Sequence, residues 1–166
     1  METKQILKDI GQRCQGDIYL GVVGPVRSGK SSFIKRFMEL LVLPEIKDEN
    51  ERKRTMDELP QSGTGKMVMT TEPKFIPKEA AELPMEDMKI KMRLIDCVGF
   101  MIPGAGGNLE NGQERLVKTP WFDYEVPFTK AAEFGTRKVI RDHSTIGILV
   151  TADGSFGEIP RDSYVE

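Results

Sequence analysis

What is scarce in this sequence narrows its chemistry first. Its 166 residues hold two cysteines, Cys14 and Cys97, and one histidine. Two thiols this far apart build neither a disulfide framework nor a zinc cluster, which fits a reducing cytosol. Tryptophan occurs once, and aromatic residues make up 7% of the chain. No apolar run approaches the roughly 20 residues that span a bilayer. Met1 to Asp9 is polar and mixed in charge, so it does not read as a secretory signal. A net charge of −2 offers no basic footprint, which disfavours nucleic acid as a partner. No internal repeat and no N-K-x-D tetrad is present. What remains, at 39% apolar and 30% charged, is an ordinary globular composition long enough for one domain with a real core.

The chain is organised around Gly24-Pro25-Val26-Arg27-Ser28-Gly29-Lys30-Ser31, which has the form G-x-x-x-x-G-K-[ST]. Four fixed positions alone match by chance in roughly 1% of chains this long, so the flanks decide. Before the loop, Asp17 to Val23 is apolar or small on both alternating faces, as a strand buried between two layers requires. After it, Ile34, Phe37, Met38 and Leu41 recur at helical spacing from Ser31 to Leu43. Strand, glycine loop and helix in that order suit a phosphate cradle. Backbone N–H groups from Arg27 to Ser31 would surround the β-phosphate at a helix N-terminus. Gly29 permits close approach, Lys30 would sit between β- and γ-phosphates, and the Ser31 hydroxyl would bind Mg²⁺. Ser32, one residue on, would meet the α-phosphate. A glycine turn without ligand is the alternative. Arg27, on the rim, either supplies a fixed cation near the β–γ bridge or faces solvent.

Downstream, two further segments fit the same chemistry. Thr70 and Thr71 enter an extended run, Met67 to Ile76, where a nucleotide switch places its γ-phosphate sensor. Threonine is also simply a good strand residue. Met88 to Asp96 alternates as a half-exposed strand and ends in Asp96-Cys97-Val98-Gly99. An aspartate at the carboxyl end of a strand beside the loop strand can hold Mg²⁺ through water, and Gly99 would offer its N–H to the γ-phosphate. The residue after Gly99 is Phe100, where many GTPase-like enzymes carry the glutamine that orients the attacking water, so turnover should be slow.

The remaining segments give structure. Glu2 to Cys14 reads as an amphipathic helix, either docked on the domain edge or serving as a partner arm. Asp48 to Leu59 reads as a solvated helix. Met101 to Pro127 reads as long and irregular, with Trp121 and Phe122 capping the core or contacting a partner. Phe128 to Asp142 reads as a helix with His143 at its end in a local capping role, and Ser144 to Thr151 as a buried strand. The strands near 18–23, 89–95 and 145–151 are expected as parallel neighbours, with an antiparallel edge near 71–76. A complete fold of this class is expected to have further strands after Thr151, whose absence would leave one sheet edge unpaired or a hydrophobic face uncovered.

Taken together, Gly16 to Ser31, Met69 to Phe75, Leu94 to Gly99, Thr119-Pro120-Trp121, Gly135 to Ile140 and His143 to Gly147 resemble the stage IV sporulation protein A family. The matched runs span essentially the whole chain but only about the N-terminal third of a family member. The resemblance implies an α/β, three-layer P-loop NTPase of the GTPase-like, TRAFAC type, with a mixed, mostly parallel sheet that is incomplete at its C-terminus. Residues 1–166 would be the N-terminal part of the ATPase domain, with Met1 to Gly16 as a helix and lead-in. It implies hydrolysis of ATP with Mg²⁺, driving irreversible polymerisation into the base layer of the spore coat. The place would be the mother-cell cytoplasm, peripheral to the forespore membrane. Its partners would be further copies of itself, a small amphipathic membrane-bound peptide and other coat proteins. By position, Lys30 becomes the phosphate lysine, Thr70 and Thr71 the sensor threonines, and Asp96 the Walker B aspartate. A GTP-dependent switch and a nucleotide-binding scaffold without turnover are the competing readings.

Overall fold

A computed structural model describes residues 2–61, 71–84, 88–102 and 109–151. Helix α1 (Glu2–Arg13) leads into strand β1 (Asp17–Val23), and helix α2 (Lys30–Phe37) follows the glycine loop. Helix α3 (Glu49–Asp57) precedes strands β2 (Lys74–Pro84) and β3 (Lys89–Asp96). Two short hairpins come next: β4 (Leu109–Glu110) with β5 (Gln113–Glu114), and β6 (Leu116–Thr119) with β7 (Phe122–Pro127). Helix α4 (Phe128–Lys138) and strand β8 (Ile146–Leu149) complete the described elements.

The main sheet has the order β2-β3-β1-β8. Strand β1 runs parallel to both β3 and β8, and β2 is antiparallel to β3. The three expected parallel neighbours are therefore present, and the antiparallel edge is too. The fold is mixed α/β with a mostly parallel sheet. Both faces are covered at β1, which is why it lacks polar alternation, whereas β8, expected to be buried, alternates half-buried and exposed residues. On one face Ile18, Leu20, Val22, Ile90, Met92 and Leu94 pack beneath Ile34, Met38 and Val42. On the other, Val23, Ile95 and Cys97 pack against Val139 beyond α4. The sheet is thus the middle of three layers.

Several boundaries differ from the sequence reading. The helix expected to Leu43 keeps α-geometry only to Phe37, then passes through a π-turn, Met38–Val42, and a 3₁₀ turn, Leu43–Glu45. The helix expected to Asp142 likewise ends at Lys138 and continues as a π-turn, Val139–His143. Side-chain periodicity does not distinguish these tighter or wider turns over five residues. His143 closes that turn, with its ring edge-on to Phe75 at 5.2 Å. The segment read as irregular from Met101 to Pro127 contains the two hairpins. The first turns at Asn111-Gly112, both at positive φ (53° and 79°), the conformation a tight two-residue hairpin turn needs. Asp48 caps α3 by accepting the Glu51 N–H at 2.7 Å. Helix α3 then guards the β2 edge: carboxylates of Glu58 and Glu51 accept the Lys78 and Glu82 amides.

Candidate functional site

The loop after β1 is shaped by residues that tolerate unusual backbone. Gly24 has φ 147°, and a Cβ there would lie 2.1 Å from the Val150 carbonyl oxygen of the strand next door. Arg27, exposed on the rim, has φ 65°, and Gly29 has φ 94°. Gly29 stands at the start of α2 without a side-chain cap, and a Cβ on it would meet nothing within 4 Å. The N-terminus of α2 thus has no side-chain cap, and an uncapped helix N-terminus attracts an anion.

Lys30 is the first residue of α2 and is 5% exposed. Its ammonium turns back into the loop, donating to the Pro25 carbonyl at 2.6 Å and the Gly24 carbonyl at 3.3 Å. Burial lowers its pKa, against the opposing pull of Cys97 and Asp96. The next residue, Ser31, donates from Oγ to Oδ2 of Asp96 at 2.7 Å. Sixty-five residues apart in sequence, the two meet because Asp96 ends β3 directly beside β1. Burial raises the Asp96 pKa, opposed first by the Ser31 hydrogen bond and then by Lys30 and Lys74. Ser32 is exposed on the first turn of α2.

The turn after Asp96 is laced to the loop. Val26 N–H donates to the Phe100 carbonyl at 2.9 Å, and Phe100 N–H to the Gly24 carbonyl at 3.3 Å. Gly99 passes over Lys30 at φ 91°, where a Cβ would sit 2.1 Å from the Gly24 oxygen and 2.6 Å from Lys30 Nζ. Only glycine fits there. Cys97 is buried beneath, its thiol donating to the Val22 carbonyl at 3.3 Å. Burial pushes that thiol's pKa up, so it is inert rather than nucleophilic.

The structure thus gathers Gly24, Pro25, Val26, Arg27, Ser28, Gly29, Lys30, Ser31, Asp96 and Gly99 into one place. Thr71 is buried three residues before β2, and its carbonyl faces Gly135 of α4. Thr70 lies outside the described residues. One participant is absent from the sequence reading: Lys74, which pairs with Asp96 across β2 and β3 and adds positive charge near its carboxylate. Alternation through Lys74-Phe75-Ile76 was the available signal, but its register against Asp96 was not. A cavity of about 710 Å³ opens here, its lining including Ser31, Asp96, Lys74 and Glu58.

The donor set suits a polyphosphate with a hard cation. Ser31 and Asp96 offer adjoining oxygen ligands, and Mg²⁺ takes few protein ligands beside water and phosphate.

The family model for stage IV sporulation protein A, ATPase domain, matches residues 1–166. The chain belongs to this family. It is 53% identical to the stage IV sporulation protein A of Bacillus anthracis and 54% identical to that of Bacillus subtilis (strain 168), each over the whole chain. It is 57% identical to that of Clostridioides difficile (strain 630) over 99% of its length. In each comparison the chain spans 34% of the relative, about a third of a stage IV sporulation protein A. No solved structure matches. Among the described residues, no helix is long and apolar enough to cross a membrane.

Proposed function

We propose that this chain is an ATP-hydrolysing P-loop domain of the GTPase-like, TRAFAC type. Its turnover would drive self-assembly into the basement layer of the bacterial spore coat. The observation that carries the reading is the Ser31–Asp96 hydrogen bond beside a buried Lys30 folded over the loop. A motif match alone needs no such convergence from two separate strands. In this reading the α2 amides and Lys30 bind the β- and γ-phosphates. On binding, the Lys30 ammonium exchanges the Pro25 and Gly24 carbonyls for phosphate oxygens. Ser31 and Asp96 would hold Mg²⁺, with Thr70 and Thr71 as the sensor threonines. Bound Mg²⁺ would neutralise charge on the phosphates during transfer. Gly99 offers its amide to the γ-phosphate. Residues 1–166 would form the N-terminal part of the ATPase domain, with Met1 to Gly16 as helix and lead-in.

Sporulation in the names of the relatives supports the biological setting. The assembly would take place in the mother-cell cytoplasm at the forespore surface. A small amphipathic membrane-bound peptide would recruit the protein, and other coat proteins would dock on the polymer. Phe100 favours one rival, a nucleotide-binding scaffold without turnover, because it offers no group to orient water. The whole protein decides between them: labelled-ATP uptake and phosphate release with Mg²⁺, for wild type and Lys30→Ala. Uptake and slow release that both vanish in the variant are expected. Uptake without release selects the scaffold. Uptake untouched by the variant overturns the site.

A further inference from the structure

The interior of α4 carries a glycine at 135, between Phe134 and Thr136. Glycine is less favourable than alanine in a helix interior, so its presence calls for a packing reason. The reason is on both sides of the missing side chain. A Cβ at Gly135 would lie 2.8 Å from the Thr71 carbonyl oxygen and 3.1 Å from Cη2 of Trp121. Two segments distant in sequence therefore meet in one notch. The first is the lead-in to β2, with Thr71 buried at 5% exposure. The second is the tip of the β6–β7 hairpin, whose Trp121 and Phe122 rings lie against Phe134 with centroids 5.3 and 5.1 Å apart.

The same turn of α4 also touches the turn that follows Asp96. Thr136 Oγ1 lies 3.8 Å from Sγ of Cys97, within the turn that runs from Asp96 to Gly99. Its one proton has a nearer acceptor in the Ala132 carbonyl at 2.9 Å, so the sulfur contact is mainly packing. Gly135 and Thr136 thus bear on the Thr71 segment and on the Asp96–Gly99 turn, side by side.

We propose that Gly135 is a positioning residue for ATP hydrolysis: its notch seats the Thr71 backbone and passes any displacement of Thr71 to Trp121 and the β6–β7 hairpin. The inference rests on the ATPase reading of the site. A methyl group at 135 cannot be accommodated by a side-chain rotation, because its nearest neighbour is a backbone carbonyl. Thr71 or α4 must move, and misplacement on the ångström scale costs catalysis up to about a hundredfold. Phosphate binding through Lys30 and the α2 amides lies outside the notch and should survive.

Two measurements on the whole protein test this. The first is the emission of Trp121, taken as wild type minus Trp121→Phe, with Mg²⁺ and a non-hydrolysable ATP analogue or ADP. A change with the analogue that ADP does not reproduce is expected. The second is Gly135→Ala, for which labelled-ATP affinity should stay within about threefold while kcat falls at least about tenfold. A general loss of structure would lower both together and show in thermal melting. In that event the emission measurement, which needs no change at 135, decides. Emission indifferent to nucleotide in a wild type that binds ATP overturns the proposal, as does wild-type turnover by Gly135→Ala. Failure of the wild type to bind ATP instead overturns the site itself, and the proposal with it.

Discussion

Replacing Ser31 by alanine removes one hydroxyl and interrogates the centre of the site. That hydroxyl donates to Asp96 at 2.7 Å. A hydrogen bond to a charged group is worth about 1.5–3 kcal/mol, so its loss should weaken whatever depends on the ionised carboxylate by roughly 10- to 150-fold. The quantity that depends on it is Mg²⁺ half-saturation of ATP hydrolysis. Burial already pushes Asp96 toward its neutral form, and Ser31 is the first opposing influence. The gap between variant and wild type should therefore widen as pH falls. The assay is phosphate release by the whole protein against Mg²⁺ at fixed ATP, paired with labelled-ATP uptake in chelator. Uptake without metal should change by less than about threefold, because Lys30 and the α2 amides are untouched. Ser31→Thr keeps the hydroxyl and should keep the metal dependence. An alanine variant with the wild-type Mg²⁺ curve would refute the assignment of these two oxygens to the metal.

Gly99→Ala should be more severe than a loop glycine usually is. The new Cβ would meet the Gly24 oxygen at 2.1 Å and Lys30 Nζ at 2.6 Å, at a φ of 91° that costs an L-residue about 1–2 kcal/mol. ATP uptake should fall steeply, and a lowered melting temperature should accompany it; normal uptake would contradict the close approach. The pH dependence of stability without nucleotide gives a third check. The Asp96 pKa is raised by folding, so its contribution is fully present below the ordinary aspartate value and is lost as pH climbs through the raised one. Asp96→Asn should flatten denaturant midpoints across that acidic window, and an unchanged slope would count against the burial argument.

How far the sequence could be read depended on whether a signal was local. Strand β1, the glycine loop and α2 were legible because apolar alternation gives way to helical spacing across fixed glycines. Strand β3 was legible through its alternation, and Asp96 at its end followed. Strand β2 was visible only in part. Pro77 interrupts the run and argues against a strand, yet an edge tolerates it, and the pairing does shift between Ile76 and Ala81. The hairpin at Asn111-Gly112 carried its turn signal openly, but two-residue strands carry no periodicity to confirm it. The notch at Gly135 was invisible: a helical glycine says nothing about which distant carbonyl lies above it.

Chemistry encoded in contiguous residues was settled by the sequence: a lysine and a serine behind a glycine loop, and a carboxylate at a strand end. Assembly of those groups was decided only by the tertiary structure. Parallel pairing of β1 with β3 brings Asp96 to Ser31, and the Gly24–Phe100 and Val26–Phe100 hydrogen bonds lay Gly99 over Lys30. The physical reason is that hydrogen bonds and close contacts act over a few ångströms, whereas strand register, which sets those distances, is fixed by packing on both faces of the sheet.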